Sequence, residues 1–229
     1  MRFTEALCNC AKAGRVPVIP DFKVISPAEG ELFAGRDIID AARKIEQAGA
    51  PALSVVTETK NFGGSKELLR QIAKEVNIPI LRKDFINSRE EVEETVRLGA
   101  SAILLICACM SEEKLRELYY ASLELKIEPL VEVHNREEMR LASYLGAKLV
   151  GINNRDILTL EKDGGTVDTT AGLAKGKPKG SFLISESGLM RAEDVRKAIK
   201  SGADAVLVGT AIWSADNPMS FYRELSYEK

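Results

Sequence analysis

The chain has 229 residues, a formal net charge of −2, and 45% hydrophobic against 29% charged residues. These are ordinary values for a globular protein with ample material for a core, and they exclude the basic footprint of a nucleic-acid binder. No apolar run approaches the roughly 20 residues that a membrane-spanning helix needs, and residues 1–13 lack the apolar stretch of a signal peptide. Neither a membrane nor a nucleic acid is therefore an expected partner, and the expected compartment is the cytoplasm.

In chain order, residues 1–13 predict a short amphipathic helix with Phe3, Ala6 and Leu7 on its inner face. A first strand follows over 16–22, then a helix over 37–47, a strand over 53–56 and a helix over 66–75. The apolar run 78–81 is a third strand, and where it ends Arg82, Lys83 and Asp84 stand side by side. Ser88 and Glu91 then form a capping box that opens a helix over 88–98. The pattern continues with a strand at 103–106, a helix at 112–125, a strand at 129–132, a helix at 136–145 and a strand at 149–152. Residues 162–179 are rich in glycine and lysine and carry the weakest helical signal. Strands at 182–185 and 205–208 flank a last clear helix at 192–200.

A Gly-Ala pair closes a helix and opens a strand four times, at Gly49, Gly99, Gly146 and Gly202, at intervals of about 50 residues. Each glycine suits a position just past a helix, where a left-handed backbone favours glycine. Eight apolar runs alternating with helices predict one (β/α)8 barrel domain over 1–229, a TIM barrel with a short N-terminal extension. A doubly wound open sheet is the second choice, but no G-x-G-x-x-G follows the first strand.

In such a barrel the polar residues just after each strand converge on one mouth. They are Asp21 and Lys23, Thr57 and Glu58, Lys83 and Asp84, then Glu132, then Asn153, Asn154, Arg155 and Asp156, then Glu186 and Ser187, then Gly209 and Thr210. Two lysines among several carboxylates point to acid–base chemistry on a carbonyl compound. The small residues Ser187-Gly188 and Gly209-Thr210 supply free backbone amides where barrels bind phosphate. The four cysteines form two C-x-C pairs, Cys8/Cys10 and Cys107/Cys109, with a single histidine, His134. That spacing is tighter than a zinc pattern, so no metal site is expected and the thiols are expected to be reduced. His134 is expected to be structural.

Certain runs resemble the indole-3-glycerol phosphate synthase family of tryptophan biosynthesis. They are Phe22-Lys23 with Ser26-Pro27, Ser54-Val55-Val56-Thr57-Glu58, Phe62-Gly63-Gly64-Ser65, Leu81-Arg82-Lys83-Asp84-Phe85-Ile86, Leu130-Val131-Glu132-Val133-His134-Asn135, Gly151-Ile152-Asn153-Asn154-Arg155 and Ser185-Glu186-Ser187-Gly188. The similarity extends from about residue 17 to about residue 213, nearly the whole chain.

The resemblance implies a cofactor-independent carboxy-lyase acting on a small phosphorylated substrate, and allows association with other enzymes of that pathway. Lys83 would be the general acid of ring closure, Glu132 the acid–base group of a later dehydration, and Lys23 a second catalytic lysine. Asp21, Asn153 and Glu186 would complete the catalytic set. Ser26, Phe62, Phe85, Leu104 and Arg155 would bind substrate, with Ser187, Gly188, Gly209 and Thr210 cradling its phosphate. Two departures from the family pattern stand out: Asp21 replaces a glutamate, and Ile25 replaces a lysine expected to touch phosphate. On that alignment Ile25→Lys should tighten phosphate binding, a charge-assisted contact worth roughly 1.5–3 kcal/mol. A Schiff-base aldolase using Lys83 or Lys23 and a non-catalytic phosphosugar-binding paralogue are the alternatives.

Overall fold

The computed structural model describes residues 1–160 and 164–227. Eight parallel strands follow one another around a closed barrel: β1 (Val18–Phe22), β2 (Leu53–Val56), β3 (Ile80–Lys83), β4 (Ala102–Ile106), β5 (Glu128–Val133), β6 (Leu149–Asn153), β7 (Phe182–Glu186) and β8 (Ala205–Val208). Closure comes from β1, which pairs with β2 through Asp21 and Ser54 and with β8 through Val18 and Val206. Around and below the barrel lie α1 (Phe3–Lys12), α2 (Ile38–Gln47), α3 (Lys66–Glu75), α4 (Arg89–Arg97), α5 (Glu112–Glu124), α6 (Arg136–Leu145), α7 (Asp168–Leu173), α8 (Ala192–Lys200), α9 (Thr210–Trp213) and α10 (Pro218–Ser226). The barrel architecture is the predicted one. The weak helical segment starts at Lys162, outside the described residues, and within them it shortens to α7 and a single turn over Ala174–Gly176.

Local chemistry sets these boundaries. Ser65, Ser88, Ser111 and Asn135 each accept a backbone N–H from the first turn of α3, α4, α5 and α6, contacts worth about 1 kcal/mol each. At the other ends Gly49, Gly99, Gly146 and Gly202 have φ of +96°, +89°, +71° and +106°, as the repeated Gly-Ala pairs require. A side chain there would add strain of about 1–2 kcal/mol, which is why one residue type recurs.

Strand alternation divides the core in two. Residues such as Val18, Val55 and Val206 face the surrounding helices, while Ile19, Leu81, Leu104, Leu130, Ile184 and Leu207 fill the barrel interior. The floor is closed by α1. Phe3 and Leu7 are fully buried in that interior cluster beside Ala52, Ala102 and Ala205, small residues near the strand starts that leave room for them. Thr4 Oγ1 donates to Glu128 Oε2 at 2.6 Å and holds the helix in place. Phe3, Ala6 and Leu7 are all buried, as the amphipathic pattern predicted.

One element escaped prediction. After β1 the chain makes a two-stranded hairpin, Ile25–Ser26 against Gly30–Glu31. Trp213 anchors this end of β1: its ring packs on Phe22 and Phe33 at 4.6 and 4.8 Å, and its Nε1 donates to the Asp21 carbonyl at 2.7 Å. Among the described residues no helix is long and apolar enough to cross a membrane.

Candidate active site

The triplet Arg82-Lys83-Asp84 shows how a strand sorts its charges, because successive side chains point to opposite faces. Arg82 turns outward and is fully buried between barrel and helix: Nε donates to Thr57 Oγ1 at 3.0 Å, Nη1 to Thr95 Oγ1 at 3.0 Å, and Nη2 to Asp84 Oδ2 at 3.1 Å. Asp84 also accepts from Thr57 Oγ1 at 2.5 Å and from the Phe85 N–H at 2.9 Å. Those two charges brace β3 against β2 and α4. Lys83 turns inward, and its Nζ lies 3.0 Å from Glu186 Oε2.

Lys83 stands where two cavities of about 400 Å³ each adjoin, and Asp21 and Lys23 border both of them as well. The first is walled by Phe62, Phe85, Leu104, Ile106 and Ile157, with Glu132 at its edge. It is an apolar slot of the kind a flat aromatic group fills. The second is lined by Arg155, Ser187, Gly188, Gly209 and Thr210. It offers a guanidinium, hydroxyls and backbone amides, the donors that hold an anion.

Two buried carboxylates sit under the junction. Glu186 is wholly buried; burial pushes its carboxyl above the usual range, the Lys83 ammonium pulls it back, and nearby Glu132 and Asp21 push it up again. Among the described residues its Oε1 has no hydrogen-bond partner, and a Cβ at Gly151 would meet that oxygen. Glu132, also buried, accepts from Asn153 Nδ2 at 3.3 Å through Oε1. Asp21 accepts from Ser54 Oγ at 2.6 Å and packs against Gly209. Lys23 places its ammonium 5.7 Å from the centre of the Phe62 ring, within reach of a cation–π attraction.

The anion lobe is held in a strained shape. Ser187 and Gly188 both have positive φ, +61° and +68°. The Asn154 side chain clamps this turn: Nδ2 donates to Ser185 Oγ and to the carbonyls of Glu186 and Ser187 at 2.9–3.0 Å, while Oδ1 accepts from Thr170 Oγ1 at 2.8 Å. A left-handed serine is uncommon and persists only where such contacts over-determine it.

Most predicted site residues therefore converge. Asp21, Lys23 and Lys83 lie at the junction, with Glu132, Phe62, Phe85 and Leu104 in the apolar lobe. Arg155, Ser187, Gly188, Gly209 and Thr210 lie in the polar one, while Asn153 and Glu186 support Glu132 and Lys83 from below. Ser26 does not join them. It is buried in the hairpin, where its Oγ accepts the Glu29 N–H at 3.3 Å, and it lines neither cavity. Ile25 also lines neither; its side chain packs against Gly63, in the loop between β2 and α3.

Sequence reasoning missed Ile106 and Ile157 as walls of the apolar lobe. Ile106 was detectable, because it lies two residues beyond Leu104 on the same strand face. His134, expected to be structural, reaches the site although β5 ends at Val133. Its Nε2 lies 3.3 Å from Glu132 Oε1 and its Nδ1 3.1 Å from Glu138 Oε2. All four cysteines are free, and among the described residues no group of three or more His, Cys, Asp or Glu side chains could hold a metal ion.

Comparison with known proteins gives this arrangement a family. Residues 1–225 match the family model for indole-3-glycerol phosphate synthase. The chain is 43% identical over 213 residues to an indole-3-glycerol phosphate synthase of Pyrococcus furiosus, covering 93% of this chain and 92% of that one. It is 44% identical over 214 residues to its counterpart in Thermococcus kodakarensis, covering 93% of each. A Streptococcus pneumoniae relative of the same name is 38% identical over 228 residues, 100% of this chain and 87% of that one. The chain belongs to the indole-3-glycerol phosphate synthase family.

Proposed function

We propose that the chain performs the reaction for which its family is named. It converts 1-(2-carboxyphenylamino)-1-deoxyribulose 5-phosphate into indole-3-glycerol phosphate, with loss of carbon dioxide and water, in the cytoplasm. The observation that carries this is the position of Lys83 between an apolar lobe and an anion lobe. A substrate with an aromatic ring at one end and a phosphate at the other would span both, leaving its carbonyl beside that ammonium.

In this reading the ring carbon bearing the carboxylate attacks the ribulose carbonyl. Lys83 gives its proton to the carbonyl oxygen, which becomes a hydroxyl as the carbon–carbon bond forms. Cleavage of the carboxyl bond releases carbon dioxide and returns its electron pair to the ring. The apolar lobe favours this loss, because a neutral gas leaves where a carboxylate is poorly solvated. Lys23 holds the carboxylate before it departs. Glu132, kept in place by Asn153, then moves the proton whose transfer lets the hydroxyl leave as water. Glu186 holds Lys83 in position, and the clamped Ser187–Gly188 turn binds the phosphate.

The test is the fluorescence of product formed from the carboxyphenylamino substrate, combined with single-turnover kinetics of Glu132→Gln. An intermediate that has lost its carboxyl group but retains its hydroxyl should accumulate in that variant. A change confined to the Michaelis constant would make Glu132 a binding group and remove it from the dehydration.

A further inference from the structure

His134 is held between two carboxylates of different kinds. Glu132 belongs to the site, on β5. Glu138 belongs to the first turn of α6 and accepts both the His134 backbone N–H at 2.7 Å and the ring at Nδ1. These two contacts from one carboxylate oxygen fix the ring plane and direct Nε2 at Glu132 Oε1. At 3.3 Å that approach has the length of an ion pair but lies off the line of a hydrogen bond. Both ring nitrogens thus face carboxylate oxygens. A neutral imidazole would turn a lone pair toward one of them, whereas the imidazolium turns an N–H and a positive charge toward both.

We propose that His134, as an imidazolium oriented by Glu138, is a positioning residue that fixes Glu132 for the dehydration step. The proposal rests on the role given to Glu132 above. Asn153 Nδ2 and His134 Nε2 approach the same oxygen, Oε1, from two different elements, so together they stop the carboxylate from rotating. The ring is also the link between the buried Glu132 and an open cavity of about 740 Å³, which it borders together with Glu138, Asn153 and Arg155. Burial opposes charge on the ring, but contact with Glu132 and Glu138 overrides it and holds the pKa up at about 10.

The other titratable or charged groups facing the ring come from the turn after β4 and the loop after β6. They are Arg155 and Asp156, which border the same cavity, and the thiols of Cys107 and Cys109, which feel the charges of Glu132 and Glu138 and are pushed up, mainly by burial, to about 12 and about 11.

The experiment is single-turnover kinetics of wild type, His134→Asn, Glu138→Gln, Cys109→Ala and Glu132→Gln over a pH range bracketing 10, following the decarboxylated intermediate. In the wild type the dehydration rate should fall as pH rises toward about 10 and the ring loses its charge. His134→Asn should slow that step about 10- to 100-fold, the scale of a misplaced catalytic group, and abolish the alkaline fall. Substrate binding should hold. Glu138→Gln removes a charge that raises the ring's pKa, so the fall should move to lower pH. Cys109→Ala should leave it in place.

An alkaline fall unmoved in both His134→Asn and Glu138→Gln, or one that vanishes with Cys109→Ala, would overturn the proposal. So would a rate loss that merely follows the unfolded fraction measured by circular dichroism. Glu132→Gln separates the two levels of the argument. If it accumulates no intermediate, the reading of Glu132 fails and the role of His134 with it; if it does and His134→Asn does not, only the role of His134 fails.

Discussion

The two ends of this barrel are built on opposite terms. At the floor Phe3 and Leu7 fill the interior beside small strand residues, and the buried Glu128 accepts from Thr4 and lies near Arg2. At the mouth Asp21, Lys23, Lys83, Glu132 and Glu186 are drawn together, all of them largely or wholly buried. Charges out of water cost stability unless each is paired, and among the described residues Glu186 Oε1 is not. The floor gains what the mouth gives up. Stability and chemistry are thereby separated along one axis, which allows each end to be altered without the other.

The largest expected effect is at the mouth. Lys83→Ala removes the proton donor for ring closure and should lower turnover about 10²–10⁴-fold. The melting temperature should stay near that of the wild type, since the buried Glu186 left behind can take up a proton. A variant that lost its fold along with its activity would break the division between the ends.

The converse change is Phe3→Ala, a large-to-small substitution at a fully buried site, which should cost about 3–5 kcal/mol of stability. Denaturant unfolding would measure it, and turnover per folded molecule should hold at temperatures where the variant is native.

The smallest effect should be that of Ile25→Lys. The family pattern suggested a direct contact with phosphate, but Ile25 is 39% exposed on the hairpin and packs against Gly63. An ammonium there is screened by water and worth about 0.2–1 kcal/mol, so the Michaelis constant should drop less than about fivefold. A larger drop would bring the hairpin into the mouth and sharpen the boundary of the anion lobe.

Much of this was visible in the sequence because the signals were local. The glycines at 49, 99, 146 and 202, and the capping box of Ser88 and Glu91, mark helix ends within a few residues of themselves. Strand ends then supplied the mouth residues by topology alone. The hairpin at residues 25–31 left no such trace, since a pair of two-residue strands is too short to show a period. The place of Ser26 inside that hairpin, away from both cavities, was hidden for the same reason. The contact of His134 with Glu132 was hidden because its other partner, Glu138, lies on the next helix, and only the bend between β5 and α6 brings these groups together. The division of labour within Arg82-Lys83-Asp84 also required the fold, which shows Arg82 buried against Thr57 and Thr95.

The crowding of Gly151 against Glu186 has a consequence for descent. A side chain at 151 would have to push the Glu186 carboxylate away from its place beside Lys83, so the two positions constrain each other. A lineage that loses the acid frees the space, and any residue larger than glycine that settles at 151 then hinders its return. Restoring the acid there would meet a partly filled cavity and set its carboxylate out of line with Lys83, whereas the same change beside a retained glycine would seat it as it stands here.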